Sequence, residues 1–122
     1  MGKTLDKESL TVGRSITLDT ETTGFSPRLN DRIVEIGAVE LNDGQRTGRE
    51  FHVYLDPGRP SNPHAMETHG LTHDFLSTQP EFREIAQDLL NFLIPGKATD
   101  PAPIWSHNAA FDQRFLLSEF AR

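Results

Sequence analysis

Residues 15–21 alternate between apolar and polar positions. Ile16, Leu18 and Thr20 fall on one side, and Thr17, Asp19 and Glu21 on the other. The pattern predicts a strand whose solvent side ends in two acids. Gly24 to Asp31 is dense in turn formers. Arg32 to Leu41 is an apolar, β-rich run broken only by Glu35 and Glu40, and it reads as a mostly buried strand. Asn42 to Gly44 is a hairpin signal, and Arg49 to Leu55 reads as the returning strand. Three strands joined by short connections predict an antiparallel meander.

Beyond Asp56–Pro63 the period changes. Thr78 is the expected N-cap of a helix, with Pro80 in its first turn and Glu81 at the capping-box position. Phe82, Ile85, Ala86, Leu89, Leu90 and Leu93 follow helical spacing, and Pro95–Gly96 ends the run. Residues 97–103 read as a loop, Ile104 to Ser106 as a short strand, and Asn108 as the cap of a last helix holding Phe111, Phe115 and Phe120. Residues 1–14 read as a flexible leader before a single domain at 15–122. The order is β-β-β-α-β-α. A strand entered through a crossover helix tends to lie parallel to its neighbour. The expected fold is therefore α/β, a mixed sheet with flanking helices.

Composition narrows the function classes. The 122 residues contain no cysteine, which excludes disulfides and thiolate metal sites. No apolar run is long enough to cross a membrane, and the polar start has no signal-peptide core, so the expected location is cytoplasmic. The net charge is −6. Coating nucleic acid by charge alone calls for a basic protein. An acidic one can still act on phosphates when divalent cations sit between its carboxylates and the substrate.

Asp19 and Glu21 share a strand face with their stems about 6.6 Å apart, close enough for two carboxylates to converge on one cation. The plain alternative is an edge strand ending in solvated acids. The next residues, Thr22, Thr23 and Gly24, add hydroxyl donors and a flexible backbone.

The run LDTETTGF (Leu18–Phe25), followed closely by RIVEIGAVEL (Arg32–Leu41), resembles the first motif of the DEDD (DnaQ-like) 3′–5′ exonucleases. FHVYLDPGRP (Phe51–Pro60), THGLTHDFL (Thr68–Leu76) and SHNAAFDQRFL (Ser106–Leu116) extend the resemblance over most of the chain. They favour the proofreading branch associated with bacterial DNA polymerase III. The resemblance implies a ribonuclease-H-like fold and a two-metal mechanism using Mg2+ or Mn2+. Asp19, Glu21 and Asp112 would be the catalytic and metal-binding acids, Asp112 acting partly through water. Thr22, Thr23, His69, Asn108 and Phe111 would bind the 3′ end of single-stranded DNA. The plain readings are core for Phe111, a loop residue with a local hydrogen bond for His69, and a helix cap for Asn108.

The family's third motif, a histidine with an acid five positions on, is not found downstream of the second. Two pairs at that spacing, His69/Asp74 and His107/Asp112, fall in segments matched to other parts of the family. Residues 15–122 therefore read as the N-terminal part of an exonuclease domain, with weak or no activity expected of this chain alone. An incomplete sheet flank is expected to favour self-association. Two other functions stay open: a non-catalytic module that binds nucleic acid or the polymerase catalytic subunit, and a ribonuclease of the same fold.

Overall fold

A computed structural model describes residues 13–95 and 102–122. The expected leader thus lies almost wholly outside the described residues, as does most of the 97–103 loop. Four strands form one sheet: β1 (Arg14–Thr22), β2 (Ile33–Asn42), β3 (Gln45–Tyr54) and β4 (Ile104–Trp105), in the order β3-β2-β1-β4. β1 pairs antiparallel with β2, and β2 with β3. β4 pairs parallel with β1, matching Ile16 to Ile104 and Thr17 to Trp105. The meander and the parallel fourth strand are as the sequence predicts.

The helices are α1 (Pro63–His69), α2 (His73–Leu76), α3 (Phe82–Leu93) and α4 (Ala109–Phe120). Two of them, α1 and α2, are absent from the sequence-based order. The start of α3 also differs from expectation. Its N-cap is Glu81, in a reciprocal capping box with Glu84, and not Thr78. Thr78 belongs to the preceding turn, where its hydroxyl donates to the Phe75 carbonyl at 2.8 Å. Pro80 explains the shift, because the residue before a proline is pushed out of helical conformation.

The core lies on one face of the sheet. Ile16 and Leu18 of β1 and Ile36 and Ala38 of β2 meet Phe82, Leu89 and Phe92 of α3 and Phe115 of α4. Burying each large side chain contributes about 1.5–3 kcal/mol. The alternation of β1 thereby puts Asp19 and Glu21 on the opposite face from this core. Register pairs Asp19 with Gly37 and Glu21 with Glu35. The β2–β3 turn is tight: Asp43 and Gly44 take φ of 52° and 81°, the left-handed pair of a two-residue hairpin.

Glu40 points to the core side and is only 6% exposed. It accepts from Arg14 and Arg49, each at 2.5 Å, and from Thr47 at 2.8 Å. Arg14 also donates to the Leu93 and Phe92 carbonyls at 2.9 and 2.7 Å, closing the C-terminus of α3. Burial would raise the Glu40 carboxyl, but its bonds to Arg14, Thr47 and Arg49 outweigh that and hold it below its ordinary value.

Candidate functional site

The end of β1, helix α1 and the start of α4 enclose an open cleft of about 570 Å³. β1 contributes Asp19, Glu21 and Thr22, α1 contributes His64, Thr68 and His69, and the start of α4 contributes Asn108, Phe111 and Asp112. Three separate parts of the sequence converge here, the first running on from β1 to Gly24 and Phe25, which form the remaining wall.

The three acids sit differently. Asp19 is exposed and Glu21 half-buried. Asp112 is buried, and its two carboxylate oxygens accept from the hydroxyls of Thr20 and Ser106. Those bonds fix Asp112 against the β1–β4 edge. Glu21 feels its neighbours: burial raises its carboxyl first, then Glu35, Asp19 and Asp112 in that order. Glu35 is thus a fourth acid at the site, directly across the β1–β2 pair from Glu21. His52 lies 2.6 Å from the far side of that carboxylate.

Among the described residues, no three acidic or histidine side chains stand close enough to close around one ion. This donor set suits a hydrated hard cation. Such an ion takes one or two carboxylates directly, completes its shell with water and substrate phosphate, and does not need a preformed cage.

The loop after β1 is tightly tied. Thr22 donates to the Gly24 carbonyl at 2.7 Å. Thr23 is fully buried, and its hydroxyl donates to Asp31 at 2.8 Å and accepts from the Arg32 N–H at 3.0 Å. Asp31, itself buried, also accepts from the Ser26 N–H at 3.2 Å and has Arg59 at 3.6 Å. A Cβ on Gly24 would lie 2.6 Å from Asn62 Nδ2 and from Asp31 Cγ, so only glycine fits under this knot. Thr23 therefore faces inward and does not line the cleft, contrary to the expected substrate contact.

His69 accepts at Nδ1 from the Leu71 N–H at 2.9 Å, and its Nε2 lies 3.2 Å from Ser61 Oγ. The first bond puts the ring proton on Nε2. Burial lowers its affinity for a second proton, against opposing effects of Glu35 and the Thr22 backbone. Asn108 occupies the N-cap position of α4, yet its side chain makes no capping bond and lines the cleft. Phe111 does both things the sequence allowed: it packs on Phe115 at 4.8 Å between centroids and lines the cleft.

Residues 16–122 match the exonuclease family RNase_T. The chain belongs to that family. This exonuclease-family chain is 43% identical over 112 residues to the DNA polymerase III subunit epsilon of Buchnera aphidicola subsp. Schizaphis graminum, covering 88% of this chain and 46% of the relative. Against the subunit of that name from Haemophilus influenzae it is 42% identical over 114 residues, covering 89% and 42%. The chain thus spans less than half the length of these curated relatives. Its fold matches a metal-free E. coli exonuclease I–single-stranded DNA complex with a TM-score of 0.71 at 20% identity, over 84% of this chain and 22% of that one.

Sequence reasoning about the exonuclease chain missed His64, Thr68, His107, Phe25 and Glu35. Asn62–Pro63 carried a readable signal for α1: Asn62 accepts from the Ala65 N–H at 2.8 Å, and Pro63 opens the helix. On that helix His64 and Thr68 stand four apart and share a face. Glu35 had no such signal, because the long connection between β1 and β2 leaves their register open. Of the two His–acid pairs at five-residue spacing, His107 and Asp112 both line the cleft, whereas Asp74 does not.

Proposed function

We propose that the cleft binds the 3′ end of single-stranded DNA and carries the acids for hydrolysing its terminal phosphodiester. The observation that carries this reading is the convergence of Asp19, Glu21 and Asp112 on one cleft. Asp19 and Glu21 would hold divalent cation directly, Mg2+ or Mn2+, and Asp112 would act through water while Thr20 and Ser106 orient it. Bound there, divalent ions supply a water of lowered pKa and positive charge for the leaving oxygen. Thr22, Asn108 and His69 bind the terminal nucleotide, and Phe111 offers its base an aromatic ring to stack on. Both His69 ring nitrogens have protein partners, so His69 positions and does not take up the proton of the attacking water. The kinship with epsilon subunits supports proofreading with a replicative polymerase as partner, in the cytoplasm. On this reading residues 15–122 are the N-terminal part of the exonuclease domain.

The absence of a closed three-ligand cluster among the described residues favours a second reading, a module that binds strand or polymerase without chemistry. One experiment separates the two. Thermal unfolding is followed with and without millimolar Mg2+ or Mn2+, beside an assay of 3′-labelled single strand. The catalytic reading expects a cation-induced rise in Tm that Asp19→Ala abolishes, with any 3′-end release lost in the same variant. No cation shift in the unsubstituted chain would leave only the binding module.

A further inference from the structure

A second groove, of about 710 Å³, runs beside the cleft between the loop after β1 and the outer face of α4. Phe25 lines both depressions and is 64% exposed, so the two are continuous across its ring. Arg28 projects from the loop and Arg114 from α4, and both are exposed and line this groove.

These two arginines are set apart from the rest. The chain has nine arginines. Seven of them, Arg14, Arg32, Arg46, Arg49, Arg59, Arg83 and Arg122, pair with a carboxylate. Arg28 and Arg114 have no such partner among the described residues, although the chain has an excess of acids. Positive charge left uncompensated at one place on an acidic surface attracts a polyanion there. A guanidinium is also well shaped for phosphate oxygens.

We propose that this groove carries the sugar–phosphate backbone of the single strand upstream of its 3′-terminal nucleotide, with Arg28 and Arg114 on successive phosphates and Phe25 as the step between the two sites. The inference rests on the cleft being a 3′-end site. It supplies what that site lacks: the cleft is acidic and meets the strand's phosphate only through cations, whereas the groove attracts phosphate directly. Ser26 and Ser118 line the same groove and suit hydrogen bonding to phosphate. The 3-10 turn at Pro27–Leu29, which holds Arg28, is tied down by Arg59, donating to the Leu29 and Asn30 carbonyls at 3.0 Å each. The groove wall is therefore formed before the strand arrives.

The test measures binding of two probes to the full chain in Ca2+: thymidine 5′-monophosphate, which fills only the cleft, and 5′-fluorescein hexathymidylate, which reaches the groove. The unsubstituted chain should bind the hexamer at least about tenfold tighter than the monophosphate. Arg28→Ala/Arg114→Ala should weaken the hexamer about tenfold at low salt. It should also make the slope of log affinity against log salt shallower by about 1.4, the value for two phosphates of a single strand. Monophosphate affinity should stay unchanged, as should both affinities in the control Arg46→Ala/Arg83→Ala. A double variant that keeps the hexamer affinity and salt slope overturns the groove assignment. So does a parallel loss of monophosphate binding. A hexamer no tighter than the monophosphate sinks the groove while the cleft stands; a chain that binds neither probe sinks both.

Discussion

At the scale of single residues, the site is organised by which carboxylates and imidazoles are bonded and which are crowded. His69 gives a pH dependence whose sign follows from its burial. Its affinity for a proton in the folded chain is lowered, so the unfolded chain binds the proton more readily. The stability tied to neutral His69 is complete above the ordinary histidine value, near pH 6.5. It is lost as pH falls through the lower folded value. Thermal unfolding followed from pH 8 to pH 5 should show Tm falling below about pH 6.5, and His69→Gln should flatten that part of the curve. An unchanged pH profile in the variant would remove His69 as its source. Thr23 shows why residue roles are harder to read than residue positions. The sequence places a hydroxyl beside the acids, but which way it faces depends on Asp31, eight residues on, and on a loop whose path no local pattern dictates.

At the scale of elements, α4 is held at both ends by carboxylates. Near its start, Asp112 is bonded by Thr20 and Ser106. At its end, Glu119 takes two bonds from Arg32 Nε, at 3.1 and 2.9 Å, and one from Arg32 Nη2 at 2.7 Å. It also accepts from the Ile33 N–H at 2.9 Å. The hydrogen bond to Glu119 is the largest reason the Arg32 guanidinium binds its proton more tightly than usual. Glu119 is only 4% exposed, so removing it strands a partly buried cation and an unpaired backbone donor. Glu119→Ala should cost about 3–5 kcal/mol, read by urea unfolding; a loss under about 1 kcal/mol would show the pair to be a surface contact in effect.

Much of this level was legible beforehand. Ile16, Leu18 and Thr20 alternate with Thr17, Asp19 and Glu21 because one side of β1 is core and the other is not. The spacing from Phe82 to Leu93 defines α3 for the same reason. The exceptions were short or long-range. α1 and α2 have 7 and 4 residues, too few for a period to emerge. Thr78 with Glu81 read as the capping box, and the backbone restriction before Pro80 moves the cap to Glu81, whose box partner is Glu84.

At the scale of the whole molecule, β4 is the outer strand of the sheet, with no described strand on its far side. Around it Ile104, Leu117 and Phe120 are 45%, 62% and 39% exposed. Unpaired strand edges flanked by apolar side chains invite another chain. We expect light scattering to show mass rising with concentration, and Ile104→Lys to suppress it; a monomer at all concentrations would count against self-association at this edge.

The Glu40 cluster has a consequence for the division of labour along β1. The strand is moored at Arg14 and does its work nearly three turns of pleat away, at Asp19 and Glu21. The polar cluster that ties the three meander strands to the end of α3 lies at the mooring, and the crowded Glu21 lies at the free end. Rigging and cargo are thus kept at opposite ends of one strand, which leaves the working end open to alteration while the hull stays sound.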